Sequence, residues 1–205
     1  MISSMTTPIE FYFDFSSPYA YLGSHLIEPV ALKHDREVHW HPFMLGVAMK
    51  GEKTFPLTQY PLKGAYSRMD FDRTARYHNI PFIMPKDFPK TTLAASRGFL
   101  WIEKEDPALA VDFAKAVYAA YFVEGKDISE LEVVADIAEN TGVDRDAFVA
   151  ATQDQKIKEE FKKSVESIIF KEKVFGAPFF VVNGEQFWGA DRVRQIDEWL
   201  TKGGW

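Results

Sequence analysis

Strand-forming sequence is confined to the two ends of this 205-residue chain, and the stretch between them carries helical periodicity. Residues 9–15 are dense in aromatics and bounded by Pro8 and by the turn signal Ser16-Ser17-Pro18, which predicts a strand. Over 19–33, Leu22, Leu26, Ile27 and Val30 recur at helical spacing, with Pro29 predicting a kink or an early end. Residues 37–43 read as a second strand. At the far end, 179–182 and 185–187 flank Asn183-Gly184, a pair that tolerates the positive φ of a type I′ hairpin turn. Asp191 stands where an N-cap belongs, and 192–200 reads as a last helix. In the middle, Tyr66, Met69, Arg73 and Tyr77 mark a helix over 63–78, while Pro81, Pro85 and Pro89 make 80–90 an extended loop. Helices are expected over 91–104, 107–122, 129–141, 144–151 and 154–173. Ser129 and Glu132 form a capping-box pattern, and the charge run at 158–163 reads as a solvated helix face.

The order is therefore β-α-β, a helical block, then β-β-α. Together the flanks have the element order of a thioredoxin fold. The expectation is an α/β chain in which residues 1–62 and 173–205 build that fold and 63–172 form an all-helical insertion. A formal charge of −6 argues against nucleic acid as the main partner. The chain has no cysteine, so disulfides, Cys-ligated zinc and a thiol nucleophile of its own are excluded. His39 and His41 alternate on one strand face without a third ligand, which predicts no metal site. No apolar window is long enough to span a membrane. Residues 1–8 lack the features of a secretory signal, which predicts the cytoplasm and leaves Met1 or Met5 as the start.

Three places could carry chemistry. At Ser17-Pro18 a strand gives way to a helix, and the unpaired first-turn amides with the helix dipole would stabilise an anion such as a thiolate. Taken alone, Ser17 reads first as a simple N-cap, because capping serines are far commoner than catalytic ones. Pro178, after Ala177, opens a strand and on bare sequence reads as a trans proline. Asp191 either caps the last helix or holds a ligand's ammonium group.

The segment Phe11-Tyr12-Phe13-Asp14-Phe15-Ser16-Ser17-Pro18-Tyr19-Ala20-Tyr21-Leu22 resembles the opening motif of the 2-hydroxychromene-2-carboxylate isomerases and kappa-class glutathione transferases. The resemblance continues through Met44-Leu45-Gly46, Pro61 to Tyr66, Ile80-Pro81-Phe82, Lys173 to Pro178 and Phe187 to Arg192, spanning nearly the whole chain. It implies a DsbA-like thioredoxin fold with a helical insertion, a homodimer, and glutathione as cofactor. Ser17 then matches the catalytic serine, and Ser17 and Ala20 replace the cysteines of a Cys-x-x-Cys motif. Pro178 matches the cis-proline, with Ala177 offering backbone bonds to the cysteinyl part of glutathione. Asp191 and Arg192 match the segment that holds the γ-glutamyl end, and Lys63 a lysine near the glycine carboxylate. Pro18 belongs to the same contact set. Thr54 stands where the family often has an asparagine that touches glutathione.

The resemblance further implies that the thiolate adds to a small aromatic or unsaturated acid, the adduct rotates, and elimination gives trans-o-hydroxybenzylidenepyruvate or a related product. Aromatic degradation is the family's best-known setting. Lowering a thiol pKa by about two units needs roughly 2.7 kcal/mol. A charge-assisted hydrogen bond supplies ~1.5–3 kcal/mol and a helix N-terminus ~0.3–2 kcal/mol. The alternatives are a kappa-like transferase or peroxidase that consumes glutathione, and a thioredoxin-like binding protein without catalysis.

Overall fold

A computed structural model describes residues 7–205; the two candidate starts, Met1 and Met5, lie outside the described residues. Strand β1 (Ile9–Phe13) is followed by α1 (Pro18–Lys33) and β2 (Val38–Pro42). The chain then forms α2 (Leu45–Gly51), a 3₁₀ turn (Leu57–Gln59) and α3 (Lys63–Tyr77). Helices α4 (Leu93–Glu103), α5 (Pro107–Phe122), α6 (Leu131–Asn140), α7 (Arg145–Gln153) and α8 (Gln155–Phe170) follow. The chain closes with β3 (Phe179–Val182), β4 (Glu185–Trp188), a second 3₁₀ turn (Ala190–Arg192) and α9 (Val193–Lys202).

The four strands form one mixed sheet in the order β2-β1-β3-β4. β1 runs parallel to β2 and antiparallel to β3, which pairs antiparallel with β4. This is a thioredoxin-like α/β fold with a helical insertion. Helices α4 to α8 pack on one another, whereas α3 lies against α1 and the Leu57–Gln59 turn. Among the described residues no helix is long and apolar enough to cross a membrane.

The hairpin forms where Asn183-Gly184 predicts it, with φ of 52° and 86° at the two turn residues. The aromatic density of β1 becomes the centre of the core. Phe13 is fully buried and meets the rings of Phe15, Trp40 and Phe99 at centroid distances of 5.0, 5.3 and 5.6 Å. Its other neighbours are Phe11 and Tyr118, so one side chain joins β1 and β2 to α4 and α5.

Several local expectations are corrected. Pro29 neither ends nor shortens α1, which runs to Lys33. Pro29 is exposed, and so is His25, whose carbonyl loses its amide partner to the proline. Ser129 does not cap α6: its amide and hydroxyl both donate to Asp127 Oδ1, and the cap position falls to Glu130 with no side-chain bond. Asp127 is held by Lys90 at 2.6 Å, and its negative charge makes it a strong acceptor for the Ser129 amide and hydroxyl. Helix α2 has no sequence signature, being seven residues with two glycines. Its first amide, Leu45 N, is held from outside the segment by Asp14 Oδ2 at 2.8 Å. Asp191 does not cap α9 either, because residues 190–192 tighten into the 3₁₀ turn and Arg192 takes the cap position. His39 and His41 lie beside Glu10, and among the described residues no group of three or more possible ligands could hold a metal ion.

Candidate active site

The turn after β1 places Ser17 at the N-cap of α1, with Pro18 at the first helical position. The Ser17 side chain is buried, at 5% exposure, and does two things. Its oxygen accepts the Ala20 amide at 3.1 Å, and its hydroxyl donates to the Ala177 carbonyl at 3.1 Å. Ser17 is thus an N-cap and also the point where the first helix touches the far end of the chain. The Ala177–Pro178 peptide is cis, not the trans form read from bare sequence.

Ser17 opens into a cavity of about 1370 Å³. Pro18, Thr54, Lys63 and Ala177 also line it, and so do Asp191 and Arg192. Pro178 is not part of the lining, and the structure brings the remaining candidates around one space. Lys63, exposed at the start of α3, has its ammonium 5.3 Å from the Tyr60 ring centroid and pairs with no acid among the described residues. The Thr54 hydroxyl donates to the Met49 carbonyl at 3.4 Å, beside a shorter bond of 2.8 Å from its own amide. The Asp191 side chain is 73% exposed, and its Oδ2 lies 3.5 Å from the Arg192 guanidinium.

Sequence reasoning missed three features of this wall. Tyr19 donates to Asp70 Oδ2 at 2.5 Å, while Arg73 holds Asp70 Oδ1 and reaches Tyr66. Burial and the neighbouring carboxylate push the Tyr19 phenol well above its usual range. The helical spacing of 63–78 gives no sign that Asp70 would face the cavity. Next, the Trp188 indole lies over Gly176: a Cβ there would sit 2.2 Å from Nε1. Gly176→Ala is therefore expected to lose ~1–3 kcal/mol in urea unfolding as the indole is forced aside. A loss below a few tenths would show that Trp188 moves freely.

The third is Asp14, whose carboxyl lies at the inner end of the cavity at 2% exposure. Its Oδ1 accepts the Ser16 amide and hydroxyl, each at 2.8 Å, and the Thr92 hydroxyl at 3.2 Å. Burial pushes the carboxyl above its usual range, against the pull of these bonds and of Leu45 N. Asp14 stands within the opening motif, but nothing in its spacing separates it from a turn aspartate.

The first turn of a helix facing a cavity, met by a cis-proline and emptied of cysteine, defines a thioredoxin-class site without dithiol chemistry. The chain belongs to the family described as the DSBA-like thioredoxin domain, whose model matches residues 8–201. Among its relatives, a 2-hydroxychromene-2-carboxylate isomerase of Pseudomonas putida is 26% identical over 193 residues, covering 92% of each chain. Glutathione s-transferase kappa 2 of Caenorhabditis elegans is 26% identical over 207 residues, covering 95% of this chain and 92% of its own. Among solved structures, that of a selenomethionine 2-hydroxychromene-2-carboxylate isomerase superposes with a TM-score of 0.86 at 23% identity, over 96% and 95% of the two chains. The cytosolic disulfide reductase DsbM of Pseudomonas aeruginosa with GSH reaches 0.64 at 18% identity, over 96% of each.

Proposed function

We propose that this protein is a glutathione-dependent isomerase acting on 2-hydroxychromene-2-carboxylate or a related unsaturated acid. The observation that carries the reading is Ser17: a hydroxyl at a helix N-terminus, next to Ala177 and open to a cavity. At about 1370 Å³ that cavity exceeds the roughly 300–1,000 Å³ of a usual small-molecule site, which leaves space for two ligands.

Binding would proceed by exchange of partners. The cysteinyl amide of glutathione takes the Ala177 carbonyl, and the Ser17 hydroxyl, released from it, turns to the sulfur. Pro18 closes the first turn against the thiolate and Pro178 fixes Ala177. Asp191 meets the γ-glutamyl ammonium beside Arg192, Lys63 meets the glycine carboxylate, and Thr54 offers one hydroxyl to the peptide. The thiolate adds to the electrophilic carbon, the new single bond rotates, and elimination returns glutathione. In this reading residues 1–62 and 173–205, together with Lys63, hold glutathione, and the rest of 63–172 walls the second substrate. A cytoplasmic homodimer belongs to the same proposal, supported by the exposed apolar side chains of Phe55, Leu57 and Leu62.

The test is titration calorimetry with glutathione, followed by steady-state glutathione accounting during turnover of the chromene carboxylate. Glutathione that stays constant while product forms supports an isomerase. Stoichiometric consumption favours the second reading, a kappa-like transferase or peroxidase, to which the similarity at 26% identity points equally. No binding at millimolar glutathione would leave a binding protein in which Ser17 is only a cap. Lys63→Ala is expected to raise the KM for glutathione about fivefold, roughly 1 kcal/mol for one exposed ion pair, with kcat unchanged. An unchanged KM would remove Lys63 from the site.

A further inference from the structure

Making a thiolate from glutathione leaves a proton to place, and Ser17 has no base behind it: its oxygen accepts an amide and its hydrogen faces a carbonyl. We propose that Asp14, reached through the hydroxyl of Ser16, takes the proton that glutathione gives up at Ser17. The inference rests on the glutathione reading above and adds the acceptor that reading lacks.

Geometry carries it. Asp14 and Ser16 both line the cavity, and the Ser17 amide donates to the Asp14 carbonyl at 2.9 Å, so acceptor and serine share one turn. The Asp14 carboxylate receives bonds on both oxygens, three on Oδ1 and one, from Leu45 N, on Oδ2. With a backbone amide on each oxygen and two hydroxyls in reach, the ionised form has a donor for every bond, and on the proposal Asp14 is ionised in the free protein. Each donor is neutral. Among the described residues no lysine, arginine or histidine pairs with it, and the titratable groups facing it are the phenols of Tyr118 and Tyr121 on α5. In that form a full negative charge stands buried beside the place where a second one is to form. Two anions in one low-dielectric corner disfavour each other. Moving the thiol's own proton to Asp14 keeps the corner at a single negative charge.

The step balances. The S–H bond of glutathione breaks and its proton joins Ser16 Oγ, while the Ser16 hydroxyl proton passes to Asp14 Oδ1 along the 2.8 Å hydrogen bond. The products are a thiolate, a neutral Asp14 carboxylic acid and an intact Ser16 hydroxyl, which now donates to the sulfur. Elimination at the end of turnover runs the relay no further, because the thiolate is regenerated as such. Release of glutathione reverses it.

The experiment is a proton inventory. Glutathione is titrated into the wild-type protein in two buffers of different ionisation enthalpy, with the thiolate ultraviolet band read on the same samples. The expected wild-type result is a thiolate band with close to no proton released to buffer. Asp14→Asn cannot take a proton, so each thiolate it forms should release about one. Wild-type infrared difference spectra, which need no variant to fold, should gain a protonated-carboxyl band on glutathione binding. Release of about one proton per thiolate by the wild type, or a missing carboxyl band, overturns the proposal while the glutathione site stands. No binding and no thiolate band overturns the glutathione reading itself, and with it this inference.

Discussion

Ser17→Ala should leave a folded protein whose bound glutathione is a thiol at neutral pH. The variant loses a charge-assisted hydrogen bond worth ~1.5–3 kcal/mol to the anion. At 1.36 kcal/mol per unit, the bound thiol pKa should rise by about one to two units. Within the glutathione reading, kcat/KM should fall about 10- to 100-fold at neutral pH and recover toward wild type as pH rises through the new pKa. The sign follows from the anion being the reactive form: the missing donor disfavours the charged state, so more alkaline solution is needed to populate it. The same substitution removes the acceptor for the Ala20 amide and the donor to Ala177. That cap loss costs about 0.5–2 kcal/mol of stability, a modest change. The pH profile therefore separates the two roles. A stability loss with an unshifted pH–rate profile would falsify the chemical role and keep the cap.

Phe13→Ala should cost about 3–5 kcal/mol in urea unfolding, at unchanged denaturant slope. A typical domain is stable by roughly 5–15 kcal/mol, so this one change takes a large share. The reason is the position of the ring rather than its area alone. Phe13 is fully buried between sheet and helical block, with rings of Phe11, Phe15, Trp40, Phe99 and Tyr118 around it. Neighbours drawn from different elements cannot all close on the same hole. Asp14 follows directly, so the loss should also loosen the turn that carries Ser17. A loss under about 1 kcal/mol would mean that the helical block collapses into the space and is less rigidly seated than its packing suggests.

The two ends of the fold were legible because their signals are local. Asn183-Gly184 meets a stereochemical demand of its turn, and Ser17 with Pro18 opens α1 by cap and fixed φ. What stayed hidden depends on partners far along the chain. Helix α2 is started by Asp14, 31 residues away, and no window of its own sequence contains that acceptor. Ser129 does not cap, because its amide and hydroxyl turn to Asp127, two residues back, which is anchored by a lysine the pattern could not bring near. The site divides the same way. Ser17, Ala177 and Asp191 could be named from motifs, while Tyr19 with Asp70 and Arg73 emerges only when α3 packs on α1. Pro178 shows the limit most plainly: bare sequence reads it as trans, and the Ala177–Pro178 bond is cis.

Ser17 and Ala177 meet across 160 residues of chain, and β1 finds its second strand partner only in β3. On a ribosome adding ~5–20 residues per second, the first half of this site waits about 8–30 s for the second. During that interval β1, an aromatic ribbon with one edge open, has only β2 beside it. Such an edge invites pairing with another nascent chain. The corner where Ser17 meets Ala177 thus closes only after the helical block has been made, and a premature stop between α1 and Ala177 yields a polypeptide with the serine but without the carbonyl that faces it.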